Sequence, residues 1–195
     1  YSVEDGRRLG LVGMIDDMIE QAQQPSTLDD PPSPSDGWED ASDVLLAGWI
    51  TAIEKAHSSD KPQDISHFMS LFDNVSRCPI LGITGVGGAG KSSLTDEIVR
   101  RFVNVFDTRK IAILSVDPSR RRSGGALLGD RIRMNSLQSD RTFMRSMATR
   151  RAHSSVPAAV EDTLKVLSRG AFDLVIIETA GIGQSGSEVV DLADV

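Results

Sequence analysis

Hydrophobic and polar positions along this chain change rhythm near residue 79. Before it, apolar residues recur at three- and four-residue spacing, the period of helices that bury one face. Val3 to Gln24 carries Leu11, Met14, Ile15, Met18 and Ile19 with acids and glutamines between them, which predicts an amphipathic helix. The stretch from about Glu39 to His57 predicts a second, with Val44, Leu45, Leu46, Trp49, Ile50 and Ile53 on its apolar side and Asp36 or Ser35 as cap. A shorter helix follows from Ile65 to Val75, with Phe68, Leu71 and Phe72 on its apolar face. Between the first two, Pro25 to Gly37 holds four of the eight prolines and reads as an extended linker, stiffened by proline and by charge repulsion.

From Pro79 the pattern becomes short apolar runs alternating with helical segments, the signature of a parallel sheet covered on both faces. Pro79 to Thr84 predicts a strand, followed by a helix to about Phe106. Lys110 to Val116 predicts a buried strand with Asp117 at its carboxyl end, the edge at which open α/β sheets bind ligands. Pro118 to Gly129 is too long for a simple connection, which marks it as a functional segment. A short helix from Asp130, a strand around Thr142 to Met147, a helix from Pro157 to Ser168 and a strand from Phe172 to Thr179 complete the series.

Composition narrows the class. Hydrophobic residues make up 39% and charged residues 25% of 195 positions, as in soluble globular proteins. No apolar run reaches the roughly 18 residues of a membrane span, and no basic-then-apolar signal pattern opens the chain, so a cytoplasmic location is expected. Cys78 is the only cysteine, which excludes an internal disulfide and a cysteine-built zinc site and predicts a small buried apolar role. The net charge of −7 hides an asymmetry: Arg100 to Arg151 holds 13 of the 21 basic residues and four acids, whereas Pro25 to Asp43 holds six acids and no base. Without interleaved aromatics, such a basic sector argues against nucleic acid and fits phosphates, an acidic protein surface or a solvated face. His57 and His67 are isolated on helix surfaces and receive no role.

The residues that carry chemistry begin at Gly85. Gly85-Val86-Gly87-Gly88-Ala89-Gly90-Lys91-Ser92 fits G-x-x-x-x-G-K-[ST] at every fixed position, between a strand and a helix. Successive glycines let backbone N–H groups close around a polyphosphate at the positive end of the following helix. Gly87, Gly88, Ala89, Gly90, Lys91, Ser92 and Ser93 are therefore candidate nucleotide contacts, with Lys91 as the catalytic cation and Ser92 as a Mg²⁺ ligand. Asp117, Asp130 and Glu178 converge on this loop by topology, and with Ser92 and Thr179 they form the candidate metal set. Asp130 is equally placed to cap a helix. Arg133, one turn beyond it, is the better phosphate-neutralising candidate than the exposed run Arg120 to Arg122. Gly181, just past the third core strand, can bring a backbone N–H to a terminal phosphate. Gln184 could orient an attacking water, although nothing in the sequence fixes its aim.

Three segments together, LGITGVGGAGKSSL, SVDPSRRRSGGALLGDRIRM and DLVIIETAGIGQSGSEVVDLADV, resemble the MeaB/ArgK-like P-loop GTPases that act as G-protein chaperones of adenosylcobalamin-dependent acyl-CoA mutases. The resemblance covers about Pro79 to Val195, and the preceding helices and linker are similar to the fused family, isobutyryl-CoA mutase fused. It implies a three-layer α/β P-loop GTPase sandwich with a mostly parallel sheet, preceded by a helical linker region and incomplete at the C-terminus. Residues 1–24 would close an upstream, B12-binding domain, 25–78 would form the linker and helical segment, and 79–195 the first part of the GTPase. The implied cofactors are GTP or GDP and Mg²⁺, with adenosylcobalamin in the parent protein but not on this segment. The implied partners are the B12-binding and mutase domains of the same polypeptide and, in the parent, an acyl-CoA, in a homodimer, without nucleic acid or membrane.

The sequence departs from stand-alone relatives in several places. Val86-Gly87-Gly88 stands where many have a proline, the early lysine of dimer-activated ATPases is absent, and the spacing to Glu188 is longer. Neither a D-x-H-x-x-G cobalamin motif nor an N-K-x-D guanine-selecting element occurs. Three alternatives share the phosphate loop: a nickel-inserting GTPase, which needs Cys and His ligands that are scarce here, a small-molecule kinase, and a non-catalytic module ordered by nucleotide.

Overall fold

The computed structural model describes residues 3–23, 41–58, 65–117, 134–148, 158–170, 172–179 and 191–195. Among the described residues, five helices, α1 (Val3–Gln23), α2 (Asp43–Ser58), α3 (Ser66–Ser70), α4 (Lys91–Val105) and α5 (Ala158–Arg169), accompany four strands. These are β1 (Ile80–Ile83), β2 (Ile111–Asp117), β3 (Thr142–Ala148) and β4 (Leu174–Thr179), with a 3₁₀ turn at Asn135–Gln138. The strands form one parallel sheet in the order β1-β4-β2-β3. The fold is an α/β three-layer sandwich, as the alternating pattern predicts.

Alternation along each strand assigns the layers. On one face, Ile83, Ile111, Ile113, Met144 and Ile176 pack with Val99 of α4. On the other, Ala112, Leu114, Val116, Val175 and Ile177 pack with α2, α3 and α5. Trp49 and Phe72 are fully buried there, and Trp49, Phe68 and Phe72 form a ring cluster with centroid separations between 5.4 and 6.2 Å. Polar contacts stitch the same layer from outside: Glu54 pairs with Arg145 of β3 and Asp73 with Lys165, and His57 Nε2 is hydrogen-bonded to Asp162 Oδ2 of α5 at 2.7 Å. Among the described residues, α2 and α3 therefore share one core with the sheet.

The helix ends differ from the sequence expectation. α2 starts at Asp43 rather than near Glu39, because Ser42 caps it: the Leu45 N–H donates to Ser42 Oγ at 3.3 Å and the Leu46 N–H to Ser42 O at 3.0 Å. Asp36 and Ser35 lie outside the described residues. Val44, expected on the apolar side, is exposed, since it falls at the entry of the helix before the buried stripe of Leu46, Trp49, Ile50 and Ile53. α3 is one short helix, and the chain from Leu71 to Val75 continues in turns. In α1 the backbone breaks at Gly10 (φ 63°), and Leu11, Val12, Ile15, Met18 and Ile19 remain exposed. Neither core cluster includes a residue of α1. The expected helix from Asp130 begins outside the described residues.

Cys78 packs at the margin of the main core, and burial pushes its thiol up to about 11, in keeping with an apolar role. No described helix is long and apolar enough to cross a membrane.

Candidate functional site

β1 and β4 are neighbours in register, Ile83 opposite Glu178, so the segment leaving β1 passes beside the end of β4. That segment, Thr84 to Gly90, is the glycine-rich loop, and it delivers the chain into α4 at Lys91. The turn needs glycine at its exit: Gly90 is the N-cap of α4 with φ 82°, a left-handed conformation that side chains resist. Gly90 offers no capping side chain, and the first turn of α4 carries no acid. Both features leave the positive end of the helix available to an anion.

Lys91 folds back across the loop. Its Nζ donates to Gly85 O at 2.9 Å and to Val86 O at 3.1 Å. An ammonium has three protons, so two fasten it to the loop and one remains for a phosphate oxygen. The Lys91 charge is thereby fixed in position before any ligand arrives, which spares ordering a flexible side chain on binding.

Next to it, Ser92 Oγ donates to Glu178 Oε1 at 2.6 Å. Ser92 is exposed, whereas Glu178 is only 7% exposed. Thr95, fully buried one turn further along α4, places its Oγ1 3.0 Å from Glu178 Oε2 and 3.0 Å from Lys91 O. Among the described residues the carboxylate thus meets two hydroxyls and no cation. A buried carboxylate supported this way calls for a positive partner, because neutral donors offset only part of its lost hydration. An exposed hydroxyl and a buried carboxylate are hard oxygen donors, the share of ligands that Mg²⁺ takes from protein while keeping several waters. The pair therefore fits Mg²⁺. Among the described residues no three His, Cys, Asp or Glu side chains gather as an all-protein metal cage.

The other expected residues separate into three groups. Gly87, Gly88, Ala89 and Ser93 lie in the loop and the first turn of α4, around Lys91. Thr179 points to the opposite face of β4 from Glu178, and its Oγ1 donates to Thr84 Oγ1 at 3.1 Å, tying the ends of β4 and β1 together. It is not brought to the Ser92–Glu178 pair. Asp117 is the last residue of β2, one position beyond the Val116–Thr179 register pair, with its side chain outside the description. Asp130, Arg133, Gly181 and Gln184 lie outside the described residues. Thr95 escaped the sequence reading, and the signal that could have found it is a hydroxyl four residues after the lysine on a helix that starts at a phosphate loop.

A profile of the family described as Methylmalonyl Co-A mutase-associated GTPase MeaB matches residues 46–195. The chain belongs to this family. The match starts within α2, where the shared core also starts. A fused isobutyryl-CoA mutase of Geobacillus kaustophilus is 46% identical over 206 residues, covering 100% of this chain and 18% of that protein. A fused isobutyryl-CoA mutase of Cupriavidus metallidurans is 45% identical over 201 residues, again covering 100% and 18%. The MeaB-family chain thus spans about a fifth of the length of these relatives. Among solved structures, a LAO/AO transport system kinase aligns with a TM-score of 0.56 at 23% identity, over 80% of this chain and 45% of that one, a likeness of fold.

Proposed function

We propose that this MeaB-family chain binds GTP together with Mg²⁺ and hydrolyses it. The observation that carries the reading is the buried Glu178 carboxylate held 2.6 Å from Ser92 Oγ at the mouth of the glycine-rich loop. In this reading the loop backbone and the N-terminus of α4 receive the phosphates, and Lys91 stabilises charge on the outer ones. Ser92 and Glu178, with Asp117 and Asp130, would hold Mg²⁺, which when bound neutralises phosphate charge and orients the terminal group. Gly87, Gly88, Ala89, Gly90 and Ser93 would line the phosphates, joined by Arg133 and by Gly181 of a nucleotide-sensitive loop.

We further propose that the chain belongs to a fused protein in which nucleotide turnover gates adenosylcobalamin loading onto a mutase that interconverts isobutyryl-CoA and n-butyryl-CoA. Support comes from the fused isobutyryl-CoA mutases that it resembles along its whole length. The exposed apolar stripe of α1 supports a role for residues 1–24 in closing an upstream, B12-binding domain. A homodimer located in the cytoplasm completes the proposal.

The test is hydrolysis of GTP against ATP by the full-length protein, wild type beside Lys91→Ala, with Mg²⁺ or with chelator, and with cobalamin present or absent. GTP-selective, Mg²⁺-dependent turnover that is lost in the variant and altered by cobalamin supports the reading. Turnover indifferent to Lys91 overturns the site, and equal use of ATP overturns the nucleotide.

A further inference from the structure

We infer that Thr95 is a positioning residue for the metal-binding carboxylate, an inference that rests on the reading of the site as a Mg²⁺–nucleotide centre. Thr95 is completely buried, yet it carries a hydroxyl in a layer otherwise built from Val99, Ile111, Ile113 and Ile176. A back-bond from a threonine to the carbonyl four residues earlier is a common local habit in helices, and Thr95 Oγ1 lies 3.0 Å from Lys91 O, but its single proton can be given fully to only one acceptor. The same Oγ1 also lies 3.0 Å from Glu178 Oε2, across the gap between α4 and β4. The carboxylate is the stronger acceptor of that proton, so the Thr95 hydroxyl ties the helix that carries Ser92 to the carboxylate that faces Ser92.

The consequence follows from how a carboxylate can move. A Glu at the end of a strand rotates freely about its outer torsion unless both oxygens are held. Ser92 engages Oε1 from the exposed side and Thr95 engages Oε2 from the buried side, which fixes the carboxylate plane. Ser92 and Glu178 would hold a cation, whose charge would offset that of the buried carboxylate. Thr95 lies on the buried side and would keep the carboxylate oriented, so that the site need not reorganise its buried end. Partners of this kind, one bond behind a ligating carboxylate, govern affinity by orientation rather than by contact.

The experiment uses the full-length protein and a fluorescent N-methylanthraniloyl guanine nucleotide, titrated with Mg²⁺ and with chelator, for wild type, Thr95→Val and Thr95→Ser. Valine keeps the buried volume and removes the hydroxyl, whereas serine keeps the hydroxyl. Thr95→Val is expected to weaken the Mg²⁺-dependent tightening of nucleotide about tenfold, the scale of one hydrogen bond to a charged group, while binding in chelator is unchanged. Thr95→Ser is expected to restore the tightening. If wild type tightens with Mg²⁺ and Thr95→Val tightens equally, the positioning role is overturned and the metal site stands. If Thr95→Val loses affinity equally in Mg²⁺ and in chelator, the residue serves packing alone and the inference fails. If wild type shows no tightening, the Mg²⁺ reading falls and the inference with it.

Discussion

Ile83 in β1 and Glu178 in β4 are parallel register partners, and this single pairing brings the glycine-rich loop to the only buried acid among the described residues. Ile83 turns its side chain into the core beneath α4, and Glu178 turns to the same face one layer above Ile176. The acid is therefore held under the first turn of α4, beside the loop rather than merely near it in sequence.

Replacing that acid by its amide separates charge from shape. Glu178→Gln keeps the volume and a hydrogen-bonding capacity toward Ser92 and Thr95, but it removes a buried charge. Thermal stability is expected to stay level or rise, because an amide costs less to bury than a carboxylate. Mg²⁺-dependent nucleotide binding and GTP turnover are expected to weaken about 10- to 100-fold. Calorimetry and a metal titration on the same preparation check both halves.

Backbone conformation, not crowding, sets the demand for glycine at the loop exit. A Cβ at Gly90 would meet nothing within 4 Å, but φ is +82° there, whereas Gly87 has equal space and no positive φ. Gly90→Ala is expected to cost about 1–2 kcal/mol of folding stability through left-handed strain. Gly87→Ala is expected to stay within about 0.5 kcal/mol of wild type. Denaturant midpoints of the two variants give the comparison.

The helices before the phosphate loop are tested at Trp49. Its ring is fully buried against Phe68 and Phe72 in the cluster that also contains Leu114, Val175 and Ile177 of the sheet. Trp49→Ala is expected to destabilise the whole unit by about 3–5 kcal/mol. A single cooperative transition, shifted as one, would show that α2 and the sheet fold together. A separate early transition would mean that they do not.

Acid sensitivity has a local probe on α4. Hydrogen bonds from Arg100 and then Arg101 hold the Glu97 carboxyl down to about 2, against an ordinary value of 4.5. A carboxyl whose folded value lies below its unfolded value adds stability that is fully present above about 4.5 and is lost as pH falls through about 2. The Glu97→Gln variant is expected to show a flatter fall of melting temperature across that window than wild type. At neutral pH the difference is expected to be small, since the group lies at the surface and water and salt screen it. Melting curves between pH 2 and 7 measure both.

Much of the candidate site's layout is legible in the sequence. The phosphate loop, Lys91, Ser92 and the acid at the end of the last apolar run all announce themselves by spacing, because strand, tight turn and helix start are local events. The buried faces of α2 and β2 were legible for the same reason. Other features depend on which elements become neighbours. Glu178 and Thr179 are adjacent in sequence, and only the pleat of a strand placed beside β1 sends one to Ser92 and the other to Thr84. Thr95 looks like an ordinary helical residue until β4 lies under α4. His57, isolated in sequence, finds Asp162 across two helices separated by 105 positions.

Local grammar can be read from the residues alone: the α/β alternation, a glycine-rich loop suited to phosphates, and residue types able to meet a metal. Tertiary structure decided the strand order β1-β4-β2-β3, the inclusion of α2 and α3 in the core, and the partners of Glu178. The physical reason is range. Backbone propensity and periodicity act over one or two turns, whereas the neighbours of a buried hydroxyl or carboxylate are set by packing between segments more than 80 residues apart.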